Sequence, residues 1–257
     1  MKRQTPSKPA HKRKTKRIFR VLVRVDALTT FSRKGGALYV EGGESTIPVI
    51  NRVSASGYYD EVIDGQDDHC EGHGSFASTH GKKPFDKTIL NGVEQVLWPE
   101  HGVHGRKGFD SNEFDCDLDR SMVTRTFVKG TDARVDSYSC FYDNGRHASE
   151  AVRALYPFLG QSTGLAEYIV ARAQAAGADQ IQVDVIGLAL HYCTTYTAKD
   201  ARDQTYKGKR WTVRVIADGC KAIGDEKTAL DELRDYGCKI IRSGVVVGAA
   251  KRMGRAA

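Results

Sequence analysis

Cys193 follows an apolar run, Val183–Leu188, and opens a helical pattern that reaches Asp203. A thiol at a strand-to-helix junction lies beside backbone N–H groups that no helix carbonyl has claimed. Those groups depress its pKa toward thiolate and can hold the oxyanion formed when a thiolate attacks a carbonyl. The opposing reading is a small buried hydrophobe, the commoner fate of an unpaired cysteine.

Two other residues stand in the same kind of place. Asp26 follows the apolar stretch Ile18–Val25, and Lys129 follows the alternating stretch Met122–Val128. In an open parallel α/β sheet, ligands bind at the carboxyl ends of the strands. If the three strands are neighbours, a carboxylate can take the thiol proton, an ammonium can favour the thiolate, and the thiol can attack. That set suits acyl transfer. Alternation alone does not make strands neighbours; Asp26 also reads as a turn residue and Lys129 as a surface lysine.

A second constellation follows the next strand. Asp67-x-His69 lets two side chains of one extended segment reach one metal ion, and His101, in Leu97-Trp98-Pro99-Glu100-His101, is the leading third ligand. An Asp-His-His set with open positions suits a catalytic metal rather than a structural one. His73, His80 and His104 compete for a place in it.

The elements that must carry these residues alternate between strand and helix. Strands are predicted over 18–25, 58–63, 122–128, 183–188, 211–217 and, short, 239–241. Helices are predicted over 44–54, from a Ser162-Thr163 cap to Gly177, from Cys193 to Asp203, and over 225–236. Residues 105–120 read as loop and 143–160 as an irregular insertion. The pattern predicts an α/β fold: a three-layer α/β/α, Rossmann-like arrangement with a mostly parallel central sheet. No nucleotide-binding glycine loop of the GxxxxGK or GxGxxG kind appears.

Composition narrows the classes. With 257 residues, 40% hydrophobic and 28% charged, the chain can bury a full core. No apolar run approaches the ~20 residues of a membrane helix, and the basic N-terminus has no hydrophobic segment of the secretory kind. The six cysteines are scattered without a CxxC pair, which predicts free thiols in a reducing, cytoplasmic setting. The first twenty residues hold nine Lys and Arg and no acid, more than the whole net charge of +7. The basic feature is therefore a tail over 1–17, expected to be disordered, ahead of one domain over 18–257. Nucleic acid is expected as a partner only through that tail, and a membrane not at all.

Several short motifs fall in one order. They are Val25-Asp26-x4-Phe31, Gly35-Gly36-Ala37-Leu38, Gln66-Asp67-x-His69, His73-x-Ser75-Phe76-Ala77 and Leu97-Trp98-Pro99-x-His101. Lys129-Gly130, Ser137-Tyr138-Ser139-x-Phe141, Val185-x-Gly187-Leu188-Ala189-x-x-Tyr192-Cys193 and Asp218-x-Cys220-x-Ala222 follow. In this order, over about residues 18–245, the chain resembles the nicotinamidases (pyrazinamidases) of the isochorismatase-like cysteine hydrolases.

The resemblance implies hydrolysis of nicotinamide to nicotinate and ammonia in NAD salvage. It implies Cys193 as the nucleophile that forms a thioester, Asp26 as the base and Lys129 as the stabiliser of charge. Backbone N–H groups of Ala189 or Leu190, with that of Cys193, would form the oxyanion hole, often with a cis peptide just before. Asp67, His69 and His101 would hold one divalent ion, zinc first and iron or manganese next, with His73 or water as a fourth ligand. Phe31, Trp98 and Tyr138 would wall the ring of the small amide substrate, nicotinamide. A homo-oligomer is compatible with the family. The usual VDxQNDF reads here Val25-Asp26-Ala27-Leu28-Thr29-Thr30-Phe31, WPxHC has Gly102 in place of Cys, and ATDYC reads Ala189-Leu190-His191-Tyr192-Cys193. Two alternatives stand beside this reading: another amidohydrolase of the superfamily, and a catalytically weak binding protein that contacts nucleic acid through its tail.

Overall fold

The computed structural model describes residues 16–255. The basic segment expected over 1–17 lies outside them except for Lys16 and Arg17. Arg17 is already tied to the body: its N–H donates to Asp179 Oδ2 at 2.9 Å, and its carbonyl accepts the Asp179 N–H at 2.8 Å.

In chain order the strands are β1 Ile18–Val25, β2 Glu61–Asp67, β3 Lys87–Leu90, β4 Val93–Val96, β5 Arg125–Lys129, β6 Gln180–Gly187, β7 Thr205–Tyr206, β8 Lys209–Arg210, β9 Thr212–Cys220 and β10 Lys239–Ile241. The α-helices are α1 Thr29–Ser32, α2 Thr46–Ser54, α3 Glu150–Leu155, α4 Leu165–Ala175, α5 Thr195–Asp203, α6 Glu226–Asp235 and α7 Ser243–Arg252. Six strands form the central sheet in the order β10-β9-β6-β1-β2-β5, every pair parallel. The pairs β3–β4 and β7–β8 are small antiparallel hairpins.

Both faces of the sheet are covered, which is why its strands read as continuous apolar runs. Val21, Val23 and Val25 of β1 pack on one face with Leu165 and Ile169 of α4, Ala198 of α5 and Leu233 of α6. Leu22 packs on the other with Ile50 and Val53 of α2 and Val246 of α7. Arg24 is fully buried on β1 because Asp64 of β2 meets it twice, Nε to Oδ1 at 2.6 Å and Nη2 to Oδ2 at 3.0 Å. The Asp119 carbonyl and Ser54 Oγ accept from Nη1. A buried charge is tolerated only when paired and hydrogen-bonded in this way.

The strand expected over 58–63 begins and ends later, at Glu61 and Asp67. The polar residues Asp64, Gln66 and Asp67 suggested a loop, yet Asp64 is needed by Arg24, and a side chain on Gly65 would strike Cys140 Sγ. The strand expected over 122–128 likewise shifts, so that Lys129 is its last residue rather than the first beyond it. The insertion expected to be irregular over 143–160 contains α3, whose N-cap Ser149 Oγ accepts from Val152 N. The hairpin β3–β4, the hairpin β7–β8 and helix α7 were not predicted; each is short or lacks a strong apolar period.

Candidate active site

The strand order puts four carboxyl ends side by side. In the register Val25 pairs with Gly187 of β6 and with Gly65 of β2, and Asp67 pairs with Lys129 of β5. Asp26 therefore leaves β1 between Gly187 and Asp67. It turns there with φ of +47°, a left-handed conformation that aspartate tolerates better than most residues. After β6 the Leu188–Ala189 peptide is cis, and a single π turn, Leu190–Thr194, carries Cys193 before α5 begins.

Asp26, Lys129 and Cys193 are buried together. Lysine has three N–H donors. Those of Lys129 Nζ go to Asp67 Oδ1 at 2.5 Å, the Ser137 carbonyl at 3.0 Å and Cys193 Sγ at 3.4 Å. Asp26 Oδ2 lies 2.9 Å from the same ammonium and feels its charge, but it accepts no hydrogen bond. Asp26 Oδ1 accepts the Asp67 N–H at 2.9 Å. Cys193 Sγ comes within 4.8 Å of an Asp26 carboxylate oxygen. The Asp26 carboxylate thus lies near the thiol, with Oδ2 paired to the ammonium.

Burial, then the Asp67 charge, pushes the Asp26 pKa up to about 7, against the opposing pull of Lys129. Burial lowers the Lys129 pKa, but Asp26 and Asp67 outweigh it and keep the ammonium charged. The thiol departs from its sequence reading. Burial raises the Cys193 pKa well above that of an ordinary cysteine, although Lys129 pulls it down. A depressed pKa at a helix N-terminus was expected; Cys193 instead sits inside the π turn, with two carboxylates near it. It rests as a thiol, and a base must take its proton.

Of the backbone groups expected to hold an oxyanion, Leu190 N–H donates to the Lys221 carbonyl at 2.8 Å and is spent. Ala189 lines the cleft beside Cys193, and its N–H donates to no acceptor among the described residues.

Asp67, His69 and His101 bring one ligand atom each to within 4.8 Å of one another, all buried. The Nδ1 atoms of both rings are committed to backbone carbonyls, His69 to Gly130 at 2.8 Å and His101 to Pro99 at 2.7 Å. A carbonyl can only accept, so both Nδ1 atoms carry the proton and both Nε2 atoms keep a lone pair. Each Nε2 stands 3.8 Å from Asp67 Oδ2. Burial, then the neighbouring His69, drives the His101 pKa down to about 4, which keeps that ring neutral. This donor set fits a divalent metal ion.

Gly130 is part of this arrangement. Its φ is +67°, and a Cβ there would sit 2.4 Å from Cε1 of His69. Gly102, where the family pattern has Cys, also has a left-handed φ, +59°, and a Cβ would crowd that of Asp67 at 3.1 Å.

His73 is not free to be the fourth ligand. Its Nε2 is bonded to the Asp132 carbonyl at 2.9 Å and its Nδ1 to Ser75 Oγ at 2.8 Å. His80 and His104 are exposed and bonded to the Gly74 carbonyl and to Asp68.

A small cleft opens beside Cys193. Phe31, Trp98, Tyr138, His101 and Asp67 line it. Trp98 Nε1 donates to Tyr138 Oη at 3.2 Å, which locks two walls together. Leu38, Asp136, Tyr192 and Ile223 also line it and were not identified as site residues. Tyr192 was legible, being next to the thiol and edge-on to Trp98 at 4.7 Å. Asp136 sits two residues before Tyr138 in a loop with no periodic signal.

No family model matches the chain. The nicotinamidase of Escherichia coli is 35% identical to it over 206 residues, covering 79% of this chain and 84% of that protein. The Acinetobacter baumanii nicotinamidase structure is 32% identical with a TM-score of 0.71, covering 88% of this chain and 97% of that one. A pyrazinamidase of Pyrococcus horikoshii, solved in complex with zinc, is 26% identical with a TM-score of 0.60, covering 87% of this chain and 98% of that one.

Proposed function

The chain belongs to the nicotinamidases, amide hydrolases of the isochorismatase-like fold, and on that footing we propose how its residues divide the work. The reaction is hydrolysis of nicotinamide to nicotinate and ammonia. The observation that carries the assignment of roles is that Asp26, Lys129 and Cys193 meet at one cleft with Asp67, His69 and His101.

Cys193 Sγ attacks the carboxamide carbon as Asp26 Oδ2 takes the thiol proton. A carboxyl group with a pKa of about 7 can both accept that proton and give it up again. The oxygen of the tetrahedral adduct receives the N–H groups of Ala189 and Cys193. Asp26 returns its proton to the amide nitrogen, the C–N bond breaks, and ammonia leaves behind a thioester. Water then attacks the thioester carbon while Asp26 takes its proton. The C–S bond breaks, Asp26 returns that proton to the sulfur, and the acid departs and loses its own proton to solvent as nicotinate. Lys129 stays charged throughout and holds both the sulfur and Asp67 in place.

Phe31, Trp98 and Tyr138 flank the flat pyridine ring. Asp67, His69 and His101 would hold a divalent ion, which would supply a Lewis acid for the ring nitrogen. Zinc is the ion we assign, from the mixed nitrogen and oxygen donors and the zinc in the Pyrococcus horikoshii relative. The product feeds NAD salvage.

The test is ammonia release from nicotinamide by the purified, zinc-supplied chain and by Cys193→Ala. The wild type should release ammonia and the variant should not. Equal release by both would overturn the role of Cys193, and release by neither would overturn the activity.

A further inference from the structure

The cleft buries three carboxylates, Asp26, Asp67 and Asp136, and a single ammonium, Lys129. Asp26 and Asp67 both lean on Lys129, at 2.9 and 2.5 Å. Asp136 does not. It is 2% exposed, and among the described residues no lysine or arginine forms an ion pair with it. Its partners are neutral: Oδ1 accepts the Ser137 N–H at 2.7 Å, and Oδ2 accepts from Gln95 Nε2 at 3.0 Å. A buried carboxyl group with only neutral partners is an arrangement that suits a cation nearby.

The nearest candidate place for a cation is beside His69. His69 Nε2 stands between two carboxylates, 3.8 Å from Asp67 Oδ2 and 4.0 Å from Asp136 Oδ1. Asp136 groups with His69 and His73 rather than with Asp67 and His101. Since both nitrogens of His73 are bonded elsewhere, His73 cannot complete a second site. Asp136 therefore flanks the Asp67–His69–His101 set instead of joining it. A polar gap of about 4 Å is one that a water molecule bridges.

We propose that Asp136 is a positioning residue of the metal centre: it accepts a hydrogen bond, through an intervening water, from the ion's coordination shell, and it supplies negative charge that holds a divalent cation there. The inference rests on the metal-assisted reading of the site above. Two carboxylates beside neutral histidines favour a divalent ion over a monovalent one. Ser137 N–H and Gln95 fix the carboxylate, and Gln95 Nε2 also reaches Tyr138 Oη at 3.2 Å, so the residue that holds Asp136 touches the ring wall as well.

The test separates charge from shape. Zn²⁺ affinity is measured on the full chain by competition with a chromogenic chelator, alongside KM and kcat for nicotinamide. Asp136→Asn keeps the volume and removes the charge; it should weaken Zn²⁺ binding about 10- to 100-fold. Asp136→Ser serves in its place should the first variant not fold. Asp136→Glu should recover most of the affinity. Gln95→Ala, which removes the support but not the charge, should leave Zn²⁺ affinity within about threefold while raising KM. Unchanged Zn²⁺ binding in both neutral variants would overturn the proposal, as would Gln95→Ala weakening it as much as Asp136→Asn. If the wild type hydrolyses nicotinamide and the neutral variants keep their zinc, only this inference fails; if the wild type neither binds zinc nor hydrolyses nicotinamide, the metal-assisted reading fails with it.

Discussion

Lys129 Nζ donates to Asp67 Oδ1 at 2.5 Å and to Cys193 Sγ at 3.4 Å, so one ammonium joins the candidate metal ligand to the nucleophile. The two chemistries of the cleft are not independent. A change at Asp67 reaches the thiol through Lys129, whereas a change at His101 does not take that route.

This relation predicts different behaviour for two ligand substitutions. Asp67→Asn and His101→Ala should both lose zinc. Only Asp67→Asn should alter the thiol, because the Asp67 charge raises the Cys193 pKa and removing it leaves Lys129 unopposed on that side. Iodoacetamide at neutral pH should alkylate Cys193 severalfold faster in Asp67→Asn and at the wild-type rate in His101→Ala. Equal rates in all three proteins would break the link.

Asp26 sets the acid limb of the pH profile. Its pKa is raised by burial to about 7, and only the carboxylate can take the thiol proton. Below that pH Asp26 already carries a proton, so kcat/KM should fall about tenfold per pH unit; above it the rate should level off. Asp26→Asn should lower kcat by about 10³-fold or more while zinc stays bound. A flat profile between pH 5 and 8 would contradict the assignment.

Gly130→Ala should damage the metal centre without replacing a ligand. The left-handed φ of +67° costs an alanine roughly 1–3 kcal/mol, and the new Cβ meets His69 at 2.4 Å. A lower urea midpoint together with lost zinc is expected. Retention of zinc at wild-type affinity would show that the His69 ring can move aside.

Tyr138→Phe removes the acceptor for Trp98 Nε1 and for Gln95 Nε2, both at 3.2 Å. The ring remains, so the walls persist but lose their tie. KM should rise about fivefold, the equivalent of roughly 1 kcal/mol, with kcat changed less. A drop confined to kcat would point to a role for the hydroxyl in the chemistry itself.

Much of this site could be read from residue order. The apolar strands over 18–25 and 183–188 are close to those observed, and both deliver a site residue at or beyond their carboxyl ends. Asp67 and Lys129 were located with their strands misplaced, since the polar ends of β2 and β5 look like loop until their cross-strand partners are known. The pKa direction of Cys193 was misread because burial is a three-dimensional property. The availability of His73 and of the Leu190 N–H is settled by partners 59 and 31 residues away, Asp132 and Lys221. Asp136 gave no signal at all: an aspartate in a loop has meaning only once the loop is folded against Gln95 and His69.

Lys129 and Gly130 ride at the end of β5, which lies at the margin of the sheet and pairs with β2 alone. A marginal strand separates from its neighbour more readily than an interior one, without the rest of the domain unfolding. When β5 lifts away, the thiol loses its ammonium and His69 loses the carbonyl that orients it in the same event. Warming should therefore silence the enzyme reversibly at temperatures where the remaining strands are still intact. The amides of β5 should exchange with deuterium well before those of β1 and β6.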